Sequence, residues 1–377
     1  ITDTHFYPLS YLYNGTDETI LKSQLLDRKI TSEASFWTNL ENIAAMDPLP
    51  DYLVISGDLT HNGERKAHID LANGLRSLQN EIRGLGKPYF QIFVVNGNHD
   101  LYNESTYDYS SGVAVKVPNV TRKEMSLIYA GLGFPNMYIS EAEAFYSADE
   151  YSGANSKIPY TQSHNAPNID IVWNFDPESA ATDYVQGDLT YIASAEGQYV
   201  NFVGLDIPLS NKDEGHVLGA TLTQHTKEFL NANKVESAEA FYIGIAHHSI
   251  VEHMAYQEEY ITDFIVRDPI NVADYLADYG MRYVFTGHVH CTDIAHRISF
   301  NNNQITDIQT AASLSYSAMV RTATIEGSIT DESVSTQNLY IQNNMLNEVD
   351  VTEAYDQGYI KDSTIALLGL EEYFDIT

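Results

Sequence analysis

Short apolar runs alternate with amphipathic stretches over most of the chain. Residues 51–56 form an apolar run that stops at Gly57. From 64 to 84 the period changes: Ala67, Leu71, Leu75 and Leu78 recur at helical spacing and make one apolar stripe. Residues 89–95 are again apolar and end at Asn96-Gly97. Strand, loop, helix, strand, loop is the grammar of an α/β domain. Between about residues 101 and 198 the periodicity fades into Tyr, Ser, Asn and Gly, apart from a short helical pattern at 123–130. This stretch reads as an insertion or cap over the core. Regular pattern resumes with strands at 199–205, 241–246 and 282–286 and helices at 223–231 and 271–279. Runs at 295–300, 305–311 and 323–329 predict a closing antiparallel region. The expected division is one domain over 1–350, carrying the 101–198 cap, and a helical tail over 351–377, with the helix itself at 351–370.

Charge narrows the partners. The chain has 52 Asp and Glu against 20 Lys and Arg, a formal net of −32. Nucleic-acid backbones and anionic membranes need basic residues to neutralise phosphates, so neither is expected as a ligand. No apolar run is long enough to span a bilayer. The lone Cys291 rules out a disulfide within these residues. The sequence opens at Ile1 with almost no strand before a chemically loaded turn. We expect residues upstream, at least most of a first strand, with room for a targeting segment that would direct a soluble protein to the periplasm or out of the cell.

The loaded turns are the informative feature. Asp3-Thr4-His5, Gly57-Asp58, Gly97-Asn98-His99-Asp100, His247-His248 and Gly287-His288-Val289-His290 each sit at the end of an expected strand. Functional groups gather at the carboxyl ends of strands in open α/β sheets, and glycine lets a backbone turn close to a site. Imidazole with carboxylate and amide oxygens suits divalent first-row metals such as Mn, Fe, Zn or Ni. Two metals about 4 Å apart clamp the attacking and leaving oxygens of a phosphoryl transfer. A shared carboxylate lowers the repulsion between them, and Asp58 is the candidate. Asp100 could accept an imidazole N–H from His99 and orient it. His99 could instead be a ligand itself.

These motifs, in this order, resemble the calcineurin-like metallophosphoesterases, and the likeness extends from residue 1 to about 315. It looks closest to bacterial members carrying Gly57-Asp58-Leu59-Thr60, Asn62-Gly63-Glu64 and His247-His248 with His253 downstream, some of them cyclic-nucleotide phosphodiesterases. The resemblance implies a four-layer sandwich of two mixed β-sheets flanked by helices. It implies two divalent or trivalent metal ions (Mn, Fe or Zn), one held by Asp3, His5 and His290, the other by Asn98, His247 and His288, with Asp58 shared. It also implies a metal-bound hydroxide that attacks phosphorus, with His99 as the acid for the leaving oxygen.

Several assignments stay open at this level. Ser249 stands where the family usually has proline, so His248 competes with His247 as the ligand. Asn62, His248 and His253 are candidate substrate contacts, while Asn62-Gly63 also reads as a turn. Cys291 should be a buried structural thiol facing away from the metals. Asp206 is either near the site or a cap. Tyr102, Tyr107, Tyr109, Tyr146, Tyr151 and Tyr160 could stack a base, but ordinary packing explains them as well. The expected substrate is a small phosphate ester: a diester, a cyclic nucleotide among them, or a monoester. A metal-binding module without catalysis, or a nuclease, are the competing readings.

Overall fold

Parallel pairing of apolar runs builds the core of the structure. It is a computed structural model that describes residues 1–136, 163–176, 187–195, 200–235, 241–314, 319–330, 333–345, 349–361 and 374–375. The elements in chain order are α1 (Glu18–Leu26), α2 (Lys29–Ala44), β1 (Tyr52–Ser56), α3 (Arg65–Gly84), β2 (Gln91–Val95), β3 (Tyr107–Asp108), β4 (Val115–Lys116) and α4 (Arg122–Ile128). There follow β5 (Ile169–Trp173), β6 (Tyr191–Ala195), β7 (Val200–Gly204), α5 (Gln224–Ala232), β8 (Phe241–Ile245), α6 (Gln257–Tyr260), α7 (Pro269–Tyr279) and β9 (Met281–Thr286). The chain continues through β10 (Asp293–Ile298), β11 (Gln304–Gln309), β12 (Met319–Thr330), β13 (Ser333–Met345) and, after β14 (Val349–Asp350), α8 (Thr352–Asp356).

The large sheet has the order β10-β11-β9-β8-β7-β6-β5. Its centre, β11-β9-β8-β7, is parallel, and both flanks are antiparallel. β1 and β2 form a second, parallel pair. The first residues run beside the end of β1: Ser56 N–H donates to Ile1 O (3.2 Å), and Asp3 N–H donates to Gly57 O (3.1 Å).

Alternation along the strands makes the layers. On β7 and β8, Phe202, Ile243 and Ile245 face one apolar cluster, with β1, β2, α2 and α3. Val203 and Tyr242 face the other, with α5 and α7. The order is therefore helices, small sheet, large sheet, helices: four layers, as the resemblance implied, with the large sheet mixed and the small one, among the described residues, a parallel pair. The seam between the sheets is aromatic, with the Phe202 ring 4.7 Å from both Tyr52 and Phe93. The predicted α3 stripe of Ala67, Leu71, Leu75 and Leu78 is wholly buried. α7 starts at Pro269 and is stopped by Gly280 at φ 109, a left-handed cap open to glycine.

Some elements escaped the pattern. α2 buries Thr31, Ser32, Ser35 and Asn39 beside Ile30, Phe36, Leu40 and Ile43, which blurs its apolar stripe. Within 101–198, β5 and β6 are strands of the large sheet. α4 packs against α3, where the His68 Nδ1 lies 2.8 Å from the Tyr129 hydroxyl and the Arg76 guanidinium donates to Ala130 O at 3.0 Å. Of the expected 351–370 helix, Thr352–Asp356 is helical; residues 362–370 lie outside the described residues. No described helix is long and apolar enough to cross a membrane.

Phe202 is 4% exposed, and its truncation leaves a cavity between the sheets. Phe202→Ala should lower the unfolding free energy by about 3–5 kcal/mol, read from denaturant unfolding; a loss well under that range would contradict the packed seam.

Candidate metal centre

The glycine-led turns are tight because side chains occupy the space a β-carbon would need. A β-carbon on Gly97 would collide with the Asp58 carboxylate and backbone nitrogen, and one on Gly287 with the Thr2 hydroxyl and the Asp3 carboxylate. Gly57 has φ +85, and its β-carbon would meet Gly97 N and His247 Nδ1, each at 2.8 Å. The adjoining residues are bent too. Asp3 (φ 49), His5 (φ 39), Asp58 (φ 46), His288 (φ 67) and His290 (φ 58) all have left-handed backbones. Each costs about 1–3 kcal/mol and persists only where its surroundings hold it, typically at functional sites. Nothing in the apolar pattern reveals this.

The bends bring the seven candidate ligands together. Asp58 is the hub. Its Oδ1 accepts the His99 backbone N–H at 2.9 Å. Its Oδ2 lies 3.6 Å from His5 Nε2 and 3.3 Å from His247 Nε2. On one side, Asp3 Oδ1 lies 3.2 Å from His290 Nε2, which is 3.2 Å from His5 Nε2. On the other, His247 Nε2 is 2.9 Å from Asn98 Oδ1 and 3.2 Å from His288 Nδ1. Three groups therefore have donor atoms within 4.8 Å of one another: Asp3, His5 and His290; His5, Asp58 and His99; Asp58, His247 and His288.

Backbone carbonyls fix which nitrogens face inward. His247 Nδ1 donates to Ser56 O (2.8 Å), and His288 Nε2 donates to Asp263 O (3.0 Å). The opposite nitrogen of each ring is left for a metal, the usual second support of a ligating histidine. Burial pushes His5 down to about 3 and His288 down to about 4, so both rings are neutral, the form that ligates. Burial also opposes charge on His247, but the Asp58 carboxylate outweighs it and raises that ring to about 9. Burial would raise the Asp58 carboxyl, yet the His247 and His99 imidazoles hold it well below the carboxylate range. A metal on His247 Nε2 would replace that proton. Close inward-facing nitrogens and a buried charged carboxylate fit a pair of cations.

His99 reaches the same centre, with its ring 4.9 Å from that of His5. Asp100 does not orient it. His99 Nδ1 donates to His61 O at 2.8 Å, with Asn62 Oδ1 3.3 Å away. Asp100 instead accepts backbone N–H groups from Gly97 (2.7 Å), Thr60 (3.0 Å) and Leu59 (3.2 Å). Its carboxylate is spent on tying two ligand loops together, and burial with the nearby Asp58 charge raises it to about 6. Asn62 flanks His99 and also forms a turn, its N–H donating to Glu64 (2.9 Å). His248 donates from Nε2 to Leu218 O at 2.6 Å and lies against His288, the rings tilted by 34° with centroids 4.0 Å apart. His253 is held by Asp293 (2.9 Å) and Asp307 (3.4 Å), in none of the three groups.

Of the remaining expectations, the one for Cys291 needs correction. Cys291 is exposed, because it lies in the loop ahead of β10 and not on a buried strand. Asp206 is a buried brace that joins Asn96 (2.9 Å) to Arg122 (3.0 Å). Tyr102 is buried with its hydroxyl accepting the Arg122 N–H at 3.2 Å. Lys29 lies over the Tyr109 ring and Lys116 over the Tyr107 ring, at 4.9 and 5.2 Å. Tyr146, Tyr151 and Tyr160 lie outside the described residues. Pattern reading missed His216, whose Nδ1 is 2.6 Å from Asn98 O; it sits in an irregular loop with no motif around it.

Comparison with known proteins gives one family match. The profile of the calcineurin-like phosphoesterases matches residues 1–292. No curated protein sequence matches the chain. Among solved structures, the sulfate thiohydrolase SoxB of Thermus thermophilus aligns at 9% identity and a TM-score of 0.33, with 89% of this chain and 46% of that one covered. The chain thus spans less than half the length of that structure.

Gly97 is the position where added bulk meets Asp58 directly. Gly97→Ala should abolish tight metal uptake, while His99→Ala should retain it; metal analysis after dialysis checks both. Equal metal content in Gly97→Ala and the parent would contradict the close approach.

Proposed function

The chain belongs to the calcineurin-like phosphoesterase family, and from that premise we propose that it hydrolyses phosphate esters at a two-metal centre. The observation that carries this is the Asp58 carboxylate standing between two imidazole groups. Asp3, His5 and His290 would hold one ion and Asn98, His247 and His288 the other, with Asp58 common to both. When bound, the ions supply Lewis acidity at phosphorus and a more acidic water. His99 serves the leaving oxygen. Its Nδ1 stays on the His61 carbonyl, and in its protonated form the ring donates from Nε2. Asp100 keeps the Asp58 and Asn98 loops in register through its three backbone hydrogen bonds.

The substrate we propose is a phosphodiester, with a cyclic nucleotide as the leading member. The run Gly57-Asp58-Leu59-Thr60 with Asn62-Gly63-Glu64 supports this by resemblance. Charge supports it as well. A chain of net −32 repels a singly charged diester less than a doubly charged monoester, so local attraction must come from the metals.

Manganese-loaded protein should hydrolyse aryl phosphodiesters and cyclic nucleotides faster than aryl monoesters. Asp58→Ala, Asn98→Ala and excess chelator should each bring the rate to background. Full activity in either variant would sink the proposal, and a monoester preference would reassign the substrate to that class.

A further inference from the structure

His216 stands next to the centre and has no role in the account above. Its half-buried ring lies 5.1 Å from that of His99, at 51°. Both rings are held alike: His216 Nδ1 lies 2.6 Å from Asn98 O, and His99 Nδ1 lies 2.8 Å from His61 O. A carbonyl only accepts, so Nδ1 carries the proton, and the Nε2 of a neutral His216 is a hydrogen-bond acceptor. Tethering the loop does not require the imidazole. The Ser210 hydroxyl already donates to the same Asn98 carbonyl (3.3 Å) and accepts the Val217 N–H (3.0 Å). The turn is closed by reciprocal backbone bonds between Asn211 and Gly215, at 3.1 and 2.7 Å. An acceptor beside the residue that serves the leaving oxygen is suited to a donor on the same leaving group.

We propose that His216 Nε2 accepts a hydrogen bond from a hydroxyl adjacent to the scissile ester oxygen, so that the site selects leaving groups with the vicinal diol of a ribose. The inference rests on the phosphodiesterase reading above. Two variants separate recognition from tethering. His216→Asn can keep an N–H for the Asn98 carbonyl but has no atom at the Nε2 position. His216→Gln puts an amide oxygen there as a substitute acceptor.

The test compares a 3′,5′-cyclic ribonucleotide with its 2′-deoxy counterpart on metal-loaded protein. The parent should favour the ribonucleotide in kcat/KM by roughly 10-fold, the scale of one neutral hydrogen bond left unmade. His216→Asn should abolish that preference by slowing the ribonucleotide alone, and His216→Gln should restore part of it. Equal losses on both substrates, or no preference in the parent, overturn the inference. Calorimetric binding of the same two ligands gives the comparison without turnover. If the parent hydrolyses neither ligand but still binds the ribonucleotide more tightly, and His216→Asn does not, the phosphodiesterase reading fails while the His216 contact stands.

Discussion

Everything at the centre depends on one buried carboxylate. Asp58 is 1% exposed, and an isolated charge in such a place is costly. One oxygen is pinned by the His99 N–H, and the other is left between His5 and His247. That arrangement requires a left-handed Asp58, a glycine at 57 and a bare backbone at 97. A side chain at 97 would take the space of the carboxylate. The strain at Asp58 is thus a condition of placing its charge between the His5 and His247 imidazoles.

The fold supplies the means. β1 packs across β8 and β9 and β2 across β7, with an aromatic seam between the two sheets, and Ser56 at the end of β1 bonds to His247 and Phe285, so the terminal loops meet at one edge. Asp100 then joins the Gly57 and Gly97 turns, and Asp206 carries support outward to Arg122 and Asn96. Asp3 receives the His288 N–H at 3.0 Å, linking the first residues to the turn after β9. The turns after Gly57, Gly97 and Gly287 are each braced by a buried carboxylate from another segment.

The sequence made the motif-bearing turns legible because they combine glycine with ligand-type residues at the ends of apolar runs. α3 was legible from its four-residue stripe. α2 was not, since its buried face carries Ser35 and Asn39 among the apolar residues. β5 and β6 were hidden in a Tyr- and Asn-rich stretch without clear alternation. Side-chain partners were the least legible. Asp100 follows His99 in sequence, yet the turn directs its carboxylate to backbone amides while His99 takes the carbonyl of His61. His216 is 118 residues from Asn98, a contact no local pattern encodes. The exposed Cys291 shows the same limit: the next strand starts only at Asp293, which leaves the thiol in a loop.

The central claim is that Asp58 is shared by two metal ions. Electron paramagnetic resonance of protein loaded with two manganese(II) ions reads this directly, because a bridging carboxylate couples the spins. The account predicts an exchange-coupled spectrum for the parent chain and its loss in Asp58→Ala. Uncoupled six-line signals from the fully loaded parent would contradict it.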